Sequence, residues 1–145
     1  MSLFKEHFVA PLDPRQVFKL RADLSVWLEQ HRFPSETAYR VVTVVDELFC
    51  NTMEYSGAHW TEVGAELSVR GVSITLRDDG VPFDPFESGK KDYSLYLASD
   101  TDRRLGLYLV NRLAAQVDYR RDGDVNEVRF LVEAEPVDPM HPRRH

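Results

Sequence analysis

The chain has a single cysteine, Cys50, among its 145 residues. No disulfide can form within it, and no thiolate cluster can hold a metal. Long apolar runs are missing as well: no stretch approaches the ~18 apolar residues of a membrane span. Met1 to His7 carries no apolar signal segment. The expectation is a cytoplasmic protein, with no membrane contact and a reduced thiol. Because Cys50 lies inside an apolar helical run, the thiol is expected to be buried and inert. Clustered basic residues are lacking too. Lys and Arg number 18 against 24 Asp and Glu, a formal net charge of -6. That argues against direct, sequence-independent nucleic-acid binding, which needs cations gathered along phosphates.

What is present is the composition of an ordinary globular domain, 43% hydrophobic and 29% charged. Residues 1–135 are read as one domain with one core, and 136–145 as a flexible tail.

Leu3 to Val9 predicts a short strand. Asp13-Pro14 is a helix start, with Asp as N-cap and Pro at the first helical position. Val17, Leu20, Leu24, Trp27 and Leu28 follow at helical spacing, to an end near His31. Ser35 is expected to cap a second helix, with Glu36 in its first turn. That helix carries Val41, Val42, Val45, Leu48, Phe49 and Thr52 towards a core and stops near Ser56-Gly57. Trp60 to Arg70 and Val72 to Arg77 predict a hairpin linked at Gly71. The stretch from Phe86 to Arg104 has little apolar periodicity, and a loop of that length in a small domain is usually functional. Leu105 to Val117 predicts a third helix. Val117 to Arg121 and Val125 to Val132 predict a last hairpin about Asp122-Gly123-Asp124. Strands come in antiparallel pairs and do not alternate with helices. The inferred fold class is therefore α+β: a two-layer sandwich in which a mixed, mostly antiparallel sheet is covered by three helices.

Three elements carry chemistry. Glu47 and Asn51 sit one helical turn apart, roughly 40° from each other around the axis. A carboxylate there can serve as general base or orient a nucleophile, and an amide oxygen is a hard neutral ligand suited to Mg²⁺. A solvated helix face accounts for the same spacing. Asp78, at the end of a strand, can accept from the exocyclic amino group of a purine, and Gly80 would let a planar base approach the backbone. A plain turn is the competing reading, since Asp-Asp-Gly is good turn material. Gly106 opens the third helix behind Arg103 and Arg104, which suits phosphate. The competing reading there is a connector with solvated arginines.

Taken in order, these elements resemble the ATPase domain shared by gyrase, histidine kinases and MutL, the GHKL or Bergerat fold. The resemblance is nearest to the short anti-sigma-factor serine kinases of the RsbW and SpoIIAB type. Glu47-Leu48-Phe49-Cys50-Asn51 resembles the family's N box. Asp78-Asp79-Gly80-Val81-Pro82-Phe83-Asp84-Pro85 resembles its G1 box, and Leu105-Gly106-Leu107-Tyr108-Leu109-Val110 most of its G2 box.

The resemblance implies ATP and Mg²⁺ as cofactors and assigns roles residue by residue. Asn51 would ligate Mg²⁺ on the ATP phosphates, and Glu47 would activate or orient the attacking hydroxyl. Asp78 would accept from the adenine amino group, with Gly80, Phe83 and Asn126 near the base. Residues 86–104 would form a lid. Arg103, Arg104, Gly106 and Leu107 would meet the phosphates. One departure stands out: Arg104 replaces the first glycine of the G2 box, which bears on ATP affinity and turnover.

As implied partners, a STAS-domain anti-anti-sigma factor would be the phosphate acceptor and a sigma factor the target. A homodimer is implied as well. The rival is a non-catalytic module that binds the same partners. A detached histidine-kinase domain is disfavoured: His31 ends one helix and His59 sits at a turn, and no second helical hairpin carries a phosphoacceptor His.

Overall fold

In the computed structural model, residues 3–86 and 110–134 are described. The element order is β1 (Leu3–Val9), α1 (Pro14–Gln30), α2 (Ser35–Tyr55), β2 (Trp60–Ser68), β3 (Gly71–Asp78), β4 (Ala115–Asp122) and β5 (Val125–Glu133). The five strands form one sheet in the order β1-β2-β3-β5-β4. Every ladder is antiparallel, so the expected mixed sheet has no parallel pair among the described residues. Residues 110–113 are helical and are the described end of the third helix. The fold is the α+β sandwich expected.

α1 starts as its sequence dictates. Asp13 Oδ1 accepts from the Arg15 N–H at 2.7 Å, and the Asp13 N–H donates to Gln16 Oε1 at 2.9 Å. This capping box is worth about 1 kcal/mol. α2 differs from expectation. Ser35 is already helical, and Pro34, in extended backbone, is the N-cap with no side-chain hydrogen bond. Glu36 in the first turn complements the helix dipole. The end comes as expected, with Ser56 as C-cap and Gly57 at φ 73°.

Helical spacing decides what is buried. Leu20, Leu24, Trp27 and Leu28 of α1 and Val41, Val44, Val45, Leu48, Phe49 and Met53 of α2 form one apolar stripe each. They pack on the alternate strand residues Phe4, Phe8, Val63, Ala65, Val72, Ile74, Leu76, Val128, Phe130 and Val132. Phe8 meets Phe49 edge-on at 4.9 Å between ring centroids. The opposite face of the sheet is polar, laced by ion pairs such as Arg120–Glu127 at 2.9 Å and Lys5–Glu62 at 3.6 Å.

Two turns depart from the sequence reading. The β2–β3 turn is made by Val69 and Arg70, with Gly71 already the first residue of β3. A Cβ on Gly71 would lie 2.1 Å from the Val132 carbonyl oxygen. Glycine is required there by the neighbouring strand more than by the turn. At the other end, the predicted third helix does not reach Val117, because β4 begins at Ala115. Gln116 sits at φ 51°, and the β4–β5 register shifts between Ala115 and Asp118. A bulge of this kind admits a residue that helical periodicity would absorb.

Candidate functional site

α2 delivers Glu47 and Asn51 to the same side. Asn51 is only 6% exposed. Its Nδ2 donates to the Glu47 carbonyl at 2.9 Å and to Glu47 Oε1 at 3.1 Å. The nitrogen is thus turned back on the helix, and the amide oxygen is an atom of the type that Mg²⁺ takes.

β3 delivers Asp78 at its last position. The carboxylate is buried and lies beside Thr61 on one neighbouring strand and Asn126 on the other. Asp78 Oδ1 accepts from the Gly80 N–H at 2.8 Å and from Asn126 Nδ2 at 3.1 Å. Burial pushes the Asp78 carboxyl above its ordinary value, against those two hydrogen bonds, which favour the ion.

Asp79, next in the chain, faces elsewhere. It accepts from the backbone N–H groups of His59 at 2.7 Å and Trp60 at 3.1 Å, closing the start of β2. Gly80 packs tightly against the end of α2. A Cβ there would lie 2.3 Å from Ser56 Oγ and 2.9 Å from Asp78 Oδ1, and the Val81 N–H donates to the Ser56 carbonyl at 2.9 Å. The space a side chain would take at Gly80 is therefore filled by Ser56.

Leu48, Asn51, Thr52 and Ser56 of the α2 end, Asp78 and Leu76 of β3, Asn126 and Val128 of β5, and Phe83 and Pro85 of the loop line one cleft. The volume among them is about 20 Å³, room for a single water and not for a purine. Asn51, Asp78, Phe83 and Asn126 thus come together, with Glu47 hydrogen-bonded to Asn51 and Gly80 behind Asp78. Arg103, Arg104, Gly106 and Leu107, and the lid from residue 87 to 104, lie outside the described residues, as does the 136–145 tail.

A model of the histidine kinase-like ATPase domain matches residues 10–132. The chain belongs to the histidine kinase-like ATPase family. Among solved structures, the Acinetobacter baumannii histidine kinase AdeS is similar, with 15% identity and a TM-score of 0.42 over 92% of this chain and 70% of that one. Comparison with curated proteins returns no match.

For an ATP-binding domain of this family the donor set is chemically apt. Among the described residues there is no group of three or more His, Cys, Asp or Glu side chains that would hold a metal unaided. A lone amide oxygen fits Mg²⁺ when water and phosphate oxygens complete its shell. No helix among the described residues is long and apolar enough to cross a membrane.

Two residues bonded to the lining of this cleft escape sequence reasoning, Tyr119 and Arg121 on β4. The Phe83 N–H donates to Tyr119 Oη at 3.2 Å, and that hydroxyl donates to Asn126 Oδ1 at 2.6 Å. Arg121 Nη1 donates to the Gly80 carbonyl at 2.9 Å and to Asn126 Oδ1 at 3.0 Å. Strand alternation alone places Tyr119 and Arg121 on one face. The register that sets Arg121 opposite Asn126 is the signal that was missing.

Proposed function

We propose that the chain is a cytoplasmic anti-sigma-factor kinase. It binds ATP with Mg²⁺ and transfers the terminal phosphoryl group to a Ser or Thr of a STAS-domain anti-anti-sigma protein. The observation that carries the reading is the meeting of Glu47–Asn51 with Asp78–Asn126 around one cleft. Asn51 would hold the cation, which supplies charge neutralisation at the phosphates. Asp78 would accept from the adenine amino group. Glu47 would orient the attacking hydroxyl and take its proton as the oxygen bonds phosphorus and ADP departs.

Phosphate on the antagonist adds negative charge against a chain of net charge -6. Repulsion and desolvation then release the antagonist, freeing the kinase to hold a sigma factor. A homodimer forms part of this reading.

The test is calorimetric titration with ATP, with and without Mg²⁺, followed by labelled ATP and a STAS-domain protein. Mg²⁺-dependent binding with label moving to a hydroxyl of the STAS protein supports the reading. Binding without transfer removes the kinase assignment.

A second reading has its own support. The cleft of about 20 Å³ is too small for a purine, and Arg104 stands where the family has glycine. Both features suit a non-catalytic module that captures a sigma factor or STAS partner, and that module predicts equal capture with and without nucleotide.

A further inference from the structure

Asn126 was expected near the base, and its own hydrogen bonds run to the protein. Nδ2 faces Asp78 Oδ1 at 3.1 Å, the Gly80 carbonyl at 3.3 Å and the Val81 carbonyl at 2.8 Å. Oδ1 accepts from Tyr119 Oη and from Arg121 Nη1. Three acceptors on one side and two donors on the other fix which way the amide points. Its polar atoms are all spent within the protein, and the residue is 2% exposed.

The row continues across three strands. Asp78 lies opposite Asn126 in the β3–β5 ladder, and Asn126 lies opposite Arg121 in the β4–β5 ladder. Arg121 is itself held from the hairpin turn, where Nε donates to the Gly123 carbonyl at 3.1 Å. Tyr119, two residues earlier on β4, ties the Phe83 backbone to the same amide. The loop after Asp78 is therefore fastened to the edge of the sheet at Gly80, Val81 and Phe83.

The consequence falls on Asp78. With Oδ1 held by the Gly80 N–H and Asn126, its carboxylate cannot swing. Among the described residues no donor reaches Oδ2, and Asp78 lines the cleft. We propose that Tyr119 and Arg121 are positioning residues of the nucleotide site: through Asn126 they hold the Asp78 carboxylate with Oδ2 left for a ligand, and so set selectivity for a base that carries an exocyclic amino group. This rests on the reading of the cleft as a nucleotide site. Neither side chain touches the base. Each acts through the Asn126 amide, and a row of polar residues from an edge strand becomes the second layer of a specificity site.

The experiment compares Mg²⁺-dependent affinity for ATP with that for purine riboside triphosphate, which differs from ATP only by the missing amino group. Wild type, Tyr119→Phe, Arg121→Met and the double variant are measured, with thermal unfolding alongside. The wild type is expected to prefer ATP by about tenfold or more, the value of a hydrogen bond to a charged acceptor. Each single variant loses about threefold of that preference and the double variant nearly all of it, while affinity for the analogue stays within about twofold. A role confined to folding would weaken both ligands together and leave the ratio intact. That result, or an undiminished preference in the double variant, overturns the proposal while leaving the nucleotide site standing. A wild type that binds both equally overturns the proposal together with the Asp78 assignment, and one that binds neither overturns the nucleotide site itself.

Discussion

Asn126 Nδ2 lies 3.1 Å from Asp78 Oδ1, the two residues facing each other across the β3–β5 ladder. The pair couples a buried carboxylate to a buried amide whose other side is held by an edge strand. Asn126→Ala takes a hydrogen bond from Asp78 and leaves the Val81 carbonyl without its side-chain donor, while the Gly80 carbonyl keeps Arg121. The expected loss is about 1–3 kcal/mol, read by urea denaturation with an unchanged m-value. The same substitution should raise the Asp78 pKa further, measurable by carboxyl NMR titration.

Asp78 carries a pH signature. Its folded-state pKa is raised above the ordinary value by burial, so protonation favours the folded state. Its contribution is fully present below the unfolded pKa and is lost as pH rises through the folded one. At neutral pH the ionised carboxylate is therefore a cost that the site carries for its function. Asp78→Asn should stabilise the fold at neutral pH by roughly 0.5–2 kcal/mol, an advantage that shrinks towards acid, while ATP selectivity is lost. In the wild type, ATP affinity should fall on acidification at a higher pH than an ordinary aspartate would give. Thermal melts and titrations across pH check both.

Asn51→Ala should abolish the Mg²⁺-dependent part of ATP binding, and Glu47→Ala should spare binding while removing phosphoryl transfer. Isothermal titration and a label-transfer assay separate the two. Equal ATP affinity in Asn51→Ala and wild type would contradict the metal assignment. Asn51 Nδ2 also bonds the Glu47 carboxylate, so Asn51→Ala should slow any transfer that remains.

Gly80→Ala drives a Cβ to 2.3 Å from Ser56 Oγ. Ser56 cannot turn aside freely, because Oγ donates to the Thr52 carbonyl at 2.5 Å and accepts from the Ala58 N–H at 3.2 Å. The expected cost is about 1–3 kcal/mol. Combined with Ser56→Gly, the two costs should fall short of additive, since the second change removes the colliding atoms. Additive losses in a double-mutant cycle would place the strain elsewhere.

Cys50 should be slow to react. Burial, with Asp46 beside it, pushes its thiol up to about 12, and Sγ lies 3.6 Å from Asp46 Oδ1. Labelling by a disulfide reagent at pH 8 should proceed far more slowly than for a free cysteine and accelerate in denaturant.

Much of this molecule was legible as text. The apolar spacing of α1 and α2, the Asp13-Pro14 start, the Gly57 stop and the Gly123 hairpin are local signals, and local sterics decide them. That Glu47 and Asn51 share one face of α2 and that Asp78 ends β3 was legible for the same reason: a helical turn and a strand end fix where such side chains go relative to their own backbone. Partnerships across the sheet were not legible. That Gly71 is needed by Val132, that Gly80 packs on Ser56, and that Tyr119 and Arg121 hold Asn126 against Asp78 all follow from strand register. Register is set by burying one face of the sheet beneath two helices, a long-range packing choice that no short segment of the chain contains.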